Sequence, residues 1–263
     1  MPDQAKPVSY RAGGFEPRVV YWIAAVSFVL VVAALEGMSR LGWMGPLMFP
    51  APSTIGSAFE DLVNSGLLEK HMSASLVRLG VGWSIGVSAG IVVGFAIGIS
   101  TWARSLGLPW VAAISAIPKI ALLPLFIIWF GIGEGSKYAT IAFGAFFPTV
   151  INTFGGVDNI ERNLVRMGQS FGLKRRTIIL SIILPGTLPS ILSAFRISAS
   201  IAIILLVAAE MVSAQFGIGA YIIEQQNLFQ LDRLMAGVVI LMVMGLLVYG
   251  LIGLLEKWLL RWR

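Results

Sequence analysis

Few side chains in this sequence could make or break bonds. It holds no cysteine and a single histidine, His71, which removes thiolate nucleophiles, disulfides, Cys-based metal sites and His-pair zinc motifs. No Ser/His arrangement or paired aspartates stand in their place. What remains are ionisable residues set inside long apolar stretches: Lys119, Arg196 and Glu210. A charge at such a position costs about 2.5 kcal/mol or more in a bilayer and needs a reason. Arg196 and Glu210 are 14 residues apart, almost four helical turns, so on one helix they would share a face with Ser193 and Ser200. Lys119 falls about 11 residues from the end of its apolar segment, roughly 16 Å along a helix and near mid-bilayer. The chemistry open to such a stripe is recognition of a passing solute, with Lys119 and Arg196 favouring anions. The plainer reading is a buried ion pair or a snorkelling side chain that only fixes packing. Arg78 and Glu36 read as interfacial, and His71 as an exposed or capping residue.

A second cluster could bind a partner. Residues 158–189, DNIERNLVRMGQSFGLKRRTIILSIILPGTLP, form the long polar, basic interruption between apolar segments. Asp158 with Glu161 three residues on reads as a capping box, predicting a short helix from near Asn159. Gly172 supplies the left-handed residue that commonly ends a helix. Five basic residues, Arg162, Arg166, Lys174, Arg175 and Arg176, surround that helix before the apolar run that ends in Pro185. The residues alone leave two readings, a docking element or an ordinary basic loop facing the cytoplasm.

The elements that must position these groups are membrane spans. Of 263 residues, 57% are hydrophobic and 12% charged, against about a quarter charged in soluble domains. The formal charge of +6 suits loops facing anionic lipid better than nucleic acid. Residues 1–18 read as a loose polar tail, and 19–263 as one transmembrane domain. The first span, VVYWIAAVSFVLVVAALEGM, is too long for a signal-peptide core. Ser53, after a Pro-rich turn, is a candidate N-cap for an amphipathic helix over 53–70, with Ile55, Phe59, Leu62 and Val63 on one side. The second span, about 74–99, carries Gly82, Gly86, Gly90, Gly94 and Gly98 at four-residue spacing, a bare stripe for close helix packing against a helix of this chain or of a twin. The third, about 106–130, is interrupted by Pro109, Pro118 and Pro124, breaks tolerated where backbone faces protein or a water-filled cavity. GIGEGSK (131–137) lacks the Gly-Lys-Ser/Thr ending of a phosphate loop and reads as a turn. Spans at about 138–156, 189–212 and 234–256 complete six, with a polar helical stretch over 217–232. The tail, the 100–107 loop, the 158–189 loop and the C-terminus hold twelve Lys and Arg against five on the other side. Both termini are therefore expected in the cytoplasm.

The spacing Gly172, nine residues, then Ile182-Ile183-Leu184-Pro185 resembles the cytoplasmic signature loop of binding-protein-dependent ABC importer permeases. The family's Glu-Ala-Ala is replaced here by Arg166, Met167 and Gly168. FPAPSTI, HMSASLVRLGVGWSIGVSAG, IPKIALLPLFIIWFGIGEGSK, FFPTVINTFGGV and VAAEMVSAQFGIG resemble the nitrate, bicarbonate, taurine and aliphatic sulfonate branch, over about residues 45–260. The resemblance implies an all-α, polytopic protein of type I importer architecture in a bacterial inner membrane. It also implies a non-catalytic permease dimer for a small, often anionic solute, with a solute-binding protein and two ATPase subunits. No cofactor is expected on this chain; ATP and Mg belong to the ATPase. Carried onto this loop, the docking residues are Glu161, Leu164, Val165, Arg166, Gly168, Phe171, Gly172, Lys174 and Arg175. A permease of the same family for a neutral thiamine precursor, and an autonomous secondary transporter, are the alternatives.

Overall fold

The computed structural model describes residues 21–43, 45 and 49–261; the tail expected at 1–18 lies outside them. Among the described residues every regular element is helical. The chain divides into two compact units, Met1–Ser53 and Thr54–Arg263.

The first unit holds α1 (Tyr21–Arg40). Near its end Glu36 pairs with Arg40 at 2.6 Å. The same carboxylate accepts from the Ser53 amide at 2.9 Å and from its hydroxyl at 2.8 Å. Ser53 is thus not the N-cap of the next helix. It lies inside the first turn of α2 (Pro52–Asn64), and its hydroxyl is spent on Glu36.

In the second unit, α2 stops two residues before Gly66, whose φ of +70° starts α3 (Leu67–Ile99). The second span thus begins seven residues earlier than expected and takes in Lys70 and His71. α4 (Thr101–Ser115) follows, then a 3-10 turn at Lys119–Leu122 and α5 (Leu123–Phe130), the two arms bent by 91°. α6 (Glu134–Asp158), α7 (Arg162–Ser170) and α8 (Arg175–Ile178) come next. A π-turn at Ile179–Ile183 joins α8 to α9 (Leu184–Ser213). α10 (Ile218–Asn227) and α11 (Leu231–Leu259) end the fold. Five of these helices are long and apolar enough to cross a membrane, or six crossings if the bent pair is one span.

α6 is the axis, packed between α3 and α9. The glycine ladder explains how closely. A Cβ at Gly82 would lie 2.7 Å from Ile141 Cβ, at Gly90 2.7 Å from Thr149 Cβ, at Gly94 2.6 Å from the Val150 oxygen and at Gly98 2.6 Å from Val157 Cβ. The fifth, at Gly86, would strike the Ala142 carbonyl. The ladder's neighbour is therefore α6 of the same chain. On the other side of α6, Gly144 admits Leu205 and Gly156 admits Ser190, so α6 uses small residues toward both partners. Away from this axis, Leu62 of α2 packs with Ile218, Tyr221, Ile222 and Ile240, and burial pushes the Tyr221 phenol above its ordinary value.

Candidate functional site

The break between α4 and α5 carries Lys119. Its ammonium donates to the Ser115 carbonyl, one of those the helix end leaves unpaired. It also stands 5.7 Å from the centroid of the Phe147 ring, an arrangement that attracts a cation to the ring face. The turn packs against both α6 and α9. No carboxylate lies within 4.0 Å of Lys119 among the described residues.

The expected polar face on α9 divides. Ser193 and Ser200 are exposed, in register with exposed Ile197 and Ile204, so one stripe of a mostly buried helix is left open. Arg196 flanks it and is tied to α11: it pairs with Glu256 and stacks 5.1 Å from the Tyr249 ring centroid. Glu210 does not share that stripe. It is fully buried on the flank beyond Arg196, where it meets partners on α3 and α10.

Those partners form a clamp at the end of the bundle where α3, α6, α9 and α10 meet. The α10 N-terminus needs acceptors for its free amides. Ser75 accepts from Ile218 N at 2.9 Å and Glu210 from Gly219 N at 2.9 Å. His71 Nδ1 stands 2.9 Å from the Gly217 oxygen and 3.1 Å from its nitrogen, and serves whichever its own proton matches. The Ser75 hydroxyl donates to Glu210 at 2.8 Å. Arg78 donates to Glu210 at 2.8 Å, to the Phe216 carbonyl at 2.5 Å and to Glu134 at 2.6 and 2.8 Å. Lys137 completes the set, 3.3 Å from Glu134. Gly217 sits at φ +141°, where an added Cβ would collide with the Glu210 carboxylate. Arg78 and His71 are both buried, and of the two expectations for His71, exposed or capping, its contact with Gly217 at the start of α10 agrees with capping. The sequence held the signal: His71, Ser75 and Arg78 fall at i, i+4 and i+7, a polar line on one face of an apolar helix.

The 158–176 loop lies at the other end of α6. Asp158 closes α6 and pairs with Arg104 of α4, so it is not available to cap α7. That helix starts only at Arg162, and Glu161 precedes it without a side-chain cap. Gly172 does end it as expected, at φ +68°, with Leu173 N bonded to Gly168 O at 3.1 Å and Gly172 N to Gln169 O at 2.9 Å, the two bonds of a Schellman motif. Gly168 is buried, its Cα side 3.1 Å from Ile182 Cδ1 for an added Cβ. With half-buried Val165 it seats α7 on the π-turn. Glu161, Leu164, Arg166 and Phe171 remain exposed, as do Lys174 and Arg175, although Arg175 donates to the Ile99 carbonyl at 3.3 Å. The π-turn coincides with the Ile-Ile-Leu-Pro run: Pro185 cannot donate to the carbonyl four residues back, and the widened turn accommodates its ring.

Residues 86–261 match the family described as binding-protein-dependent transport system inner membrane component. The chain is 36% identical over 245 residues to the Escherichia coli K12 protein described as an aliphatic sulfonates transport permease, SsuC, covering 93% of this chain and 92% of that one. It is 30% identical to the taurine transport system permease TauC of the same organism, covering 92% of each. Among solved structures, a chain from inward-facing conformations of the MetNI methionine ABC transporter superposes with a TM-score of 0.56 at 19% identity, over 73% of this chain and 94% of that one, which shows a shared fold. The chain thus belongs to the family of binding-protein-dependent transport system inner membrane components, as an all-α transmembrane permease of the ABC transporters.

Proposed function

We propose that this permease imports a small sulfonate-type anion delivered by a solute-binding protein, as a dimer driven by two ATPase subunits docked at α7. The observation that carries the anionic substrate is the isolation of Lys119. Arg78, Lys137, Arg104 and Arg196 are each matched to a carboxylate, whereas Lys119 has a carbonyl and a ring. At bilayer depth an unmatched ammonium costs several kcal/mol unless water or an anion compensates it. A sulfonate crossing beside the break supplies that charge transiently. The relatives described as sulfonate and taurine permeases support the same class. The open Ser193–Ser200 stripe of α9, next to the turn that carries Lys119, is the surface this reading assigns to the pathway.

Both termini and α7 are placed in the cytoplasm. The burial of Arg78 and Lys137 in the clamp strengthens that assignment, because neither is a free loop charge. Only Arg40, Lys70 and Arg233 then oppose the basic cytoplasmic loops. The test is reconstitution of the permease with its ATPase and binding protein, and ATP-dependent uptake of radiolabelled ethanesulfonate. Uptake of a neutral heterocycle with no response to ethanesulfonate contradicts the reading.

A further inference from the structure

We infer that the cleft receiving α7 is lined by acidic side chains of the ATPase subunit, with Arg162 and Arg166 as the residues that select it. This rests on the reading that α7 docks an ATPase. α7 is seated on its own chain through Gly168 and Val165, and the rest of its circumference is open. That open surface is divided. Arg162 and Arg166, one turn apart, form a cationic stripe. Leu164, Met167 and Phe171, also at helical spacing, form an apolar one, with Phe171 76% exposed.

The charges on this surface are unspent. Arg104 pairs with Asp158 and Arg175 bonds to Ile99, but Arg162, Arg166, Lys174 and Arg176 have no carboxylate within 4.0 Å among the described residues. The one acid on the segment, Glu161, faces the Asn163 amide at 3.5 Å. A nine-residue helix with a cationic stripe on one open flank and an apolar stripe on the other fits a protein groove that encloses it, with carboxylates on one wall and an apolar pocket on the other. A lipid surface would draw the apolar stripe toward the bilayer, yet here it turns away from Ile178 and Ile182, the continuation of the α9 span. Like charges facing Arg162 and Arg166 would cost several kcal/mol, so an ATPase with a basic cleft is rejected.

The experiment uses the permease–ATPase complex in native-lipid nanodiscs. Arg166→Lys keeps the charge and adds a primary amine, which a zero-length carbodiimide joins to any carboxylate in contact; mass spectrometry then identifies the partner. A photo-crosslinker at Met167 reports docking independently of charge. Arg162→Glu/Arg166→Glu tests energetics, with thermal unfolding of the isolated permease as the folding control. The expected result is a Lys–Asp or Lys–Glu adduct to the ATPase, and at least roughly tenfold weaker ATPase retention by the double variant with unchanged unfolding. A Met167 crosslink to the ATPase without the carbodiimide adduct, and with full retention by the double variant, overturns the acidic cleft while leaving docking intact. No crosslink from either position overturns docking and the inference together. An adduct to phosphatidylserine instead assigns the cationic stripe to lipid and overturns the inference.

Discussion

Arg78 Nη1 and Glu210 Oε1 lie 2.8 Å apart at the end of the bundle, with the glutamate wholly buried. Each has further bonds: Arg78 reaches Glu134 and Phe216, and Glu210 takes Ser75 and the Gly219 amide. A buried pair is a gain only when its remaining donors and acceptors are satisfied, and here they are. Its work is to hold the start of α10 against α3 and α9.

Removing one partner leaves the other charged and buried. Glu210→Ala is expected to destabilise the detergent-solubilised permease by about 3–5 kcal/mol, read as lost yield and an early thermal transition. Arg78→Met/Glu210→Met should cost less than the two single changes added together. Additive losses would mean the residues act separately.

The glycine ladder gives a contrast within one helix. Gly94→Ala places a methyl 2.6 Å from the Val150 carbonyl oxygen and should destabilise by about 1–3 kcal/mol. Gly80→Ala, with nothing within 4 Å, should be neutral in the same thermal assay. Equal effects would remove the close α3–α6 approach from the account.

Much of this was legible in the residues. The four-residue period of Gly82–Gly98 announced close packing, and the Gly172 spacing announced a helix end, because each depends on local geometry alone. Their partners were not legible: a ladder says nothing about which helix fills it. Glu210 and Arg196 share a helix phase, yet Glu210 is drawn to Arg78 and α10 while Arg196 is drawn to Glu256. The expected capping box failed for a related reason. Asp158 and Glu161 have the right spacing, but Arg104 holds Asp158 at the end of α6.

Topology is accessible through the absence of native cysteine. Asp61→Cys and Gln226→Cys, both at exposed positions, should react with an impermeant maleimide added outside intact cells. Phe171→Cys should react only after permeabilisation. The reverse pattern would invert the assignment of both termini.

Gly172→Val forces a β-branched residue into φ +68°, at a cost of about 1–2 kcal/mol. The end of α7 should loosen, and ATPase retention should fall while the spans stay folded. Full retention would show that the Schellman geometry is not needed for docking.

The most direct measurement is ATP-dependent uptake of radiolabelled ethanesulfonate by the reconstituted transporter, comparing the native chain with Lys119→Met. With no carboxylate to strand, the substitution should leave assembly and thermal unfolding intact while uptake falls roughly tenfold or more, as expected for loss of a desolvated charge contact worth at least about 1.4 kcal/mol. Unchanged uptake kinetics at full assembly would contradict an anion path beside Lys119, and failure of the variant to fold would assign that cation to packing.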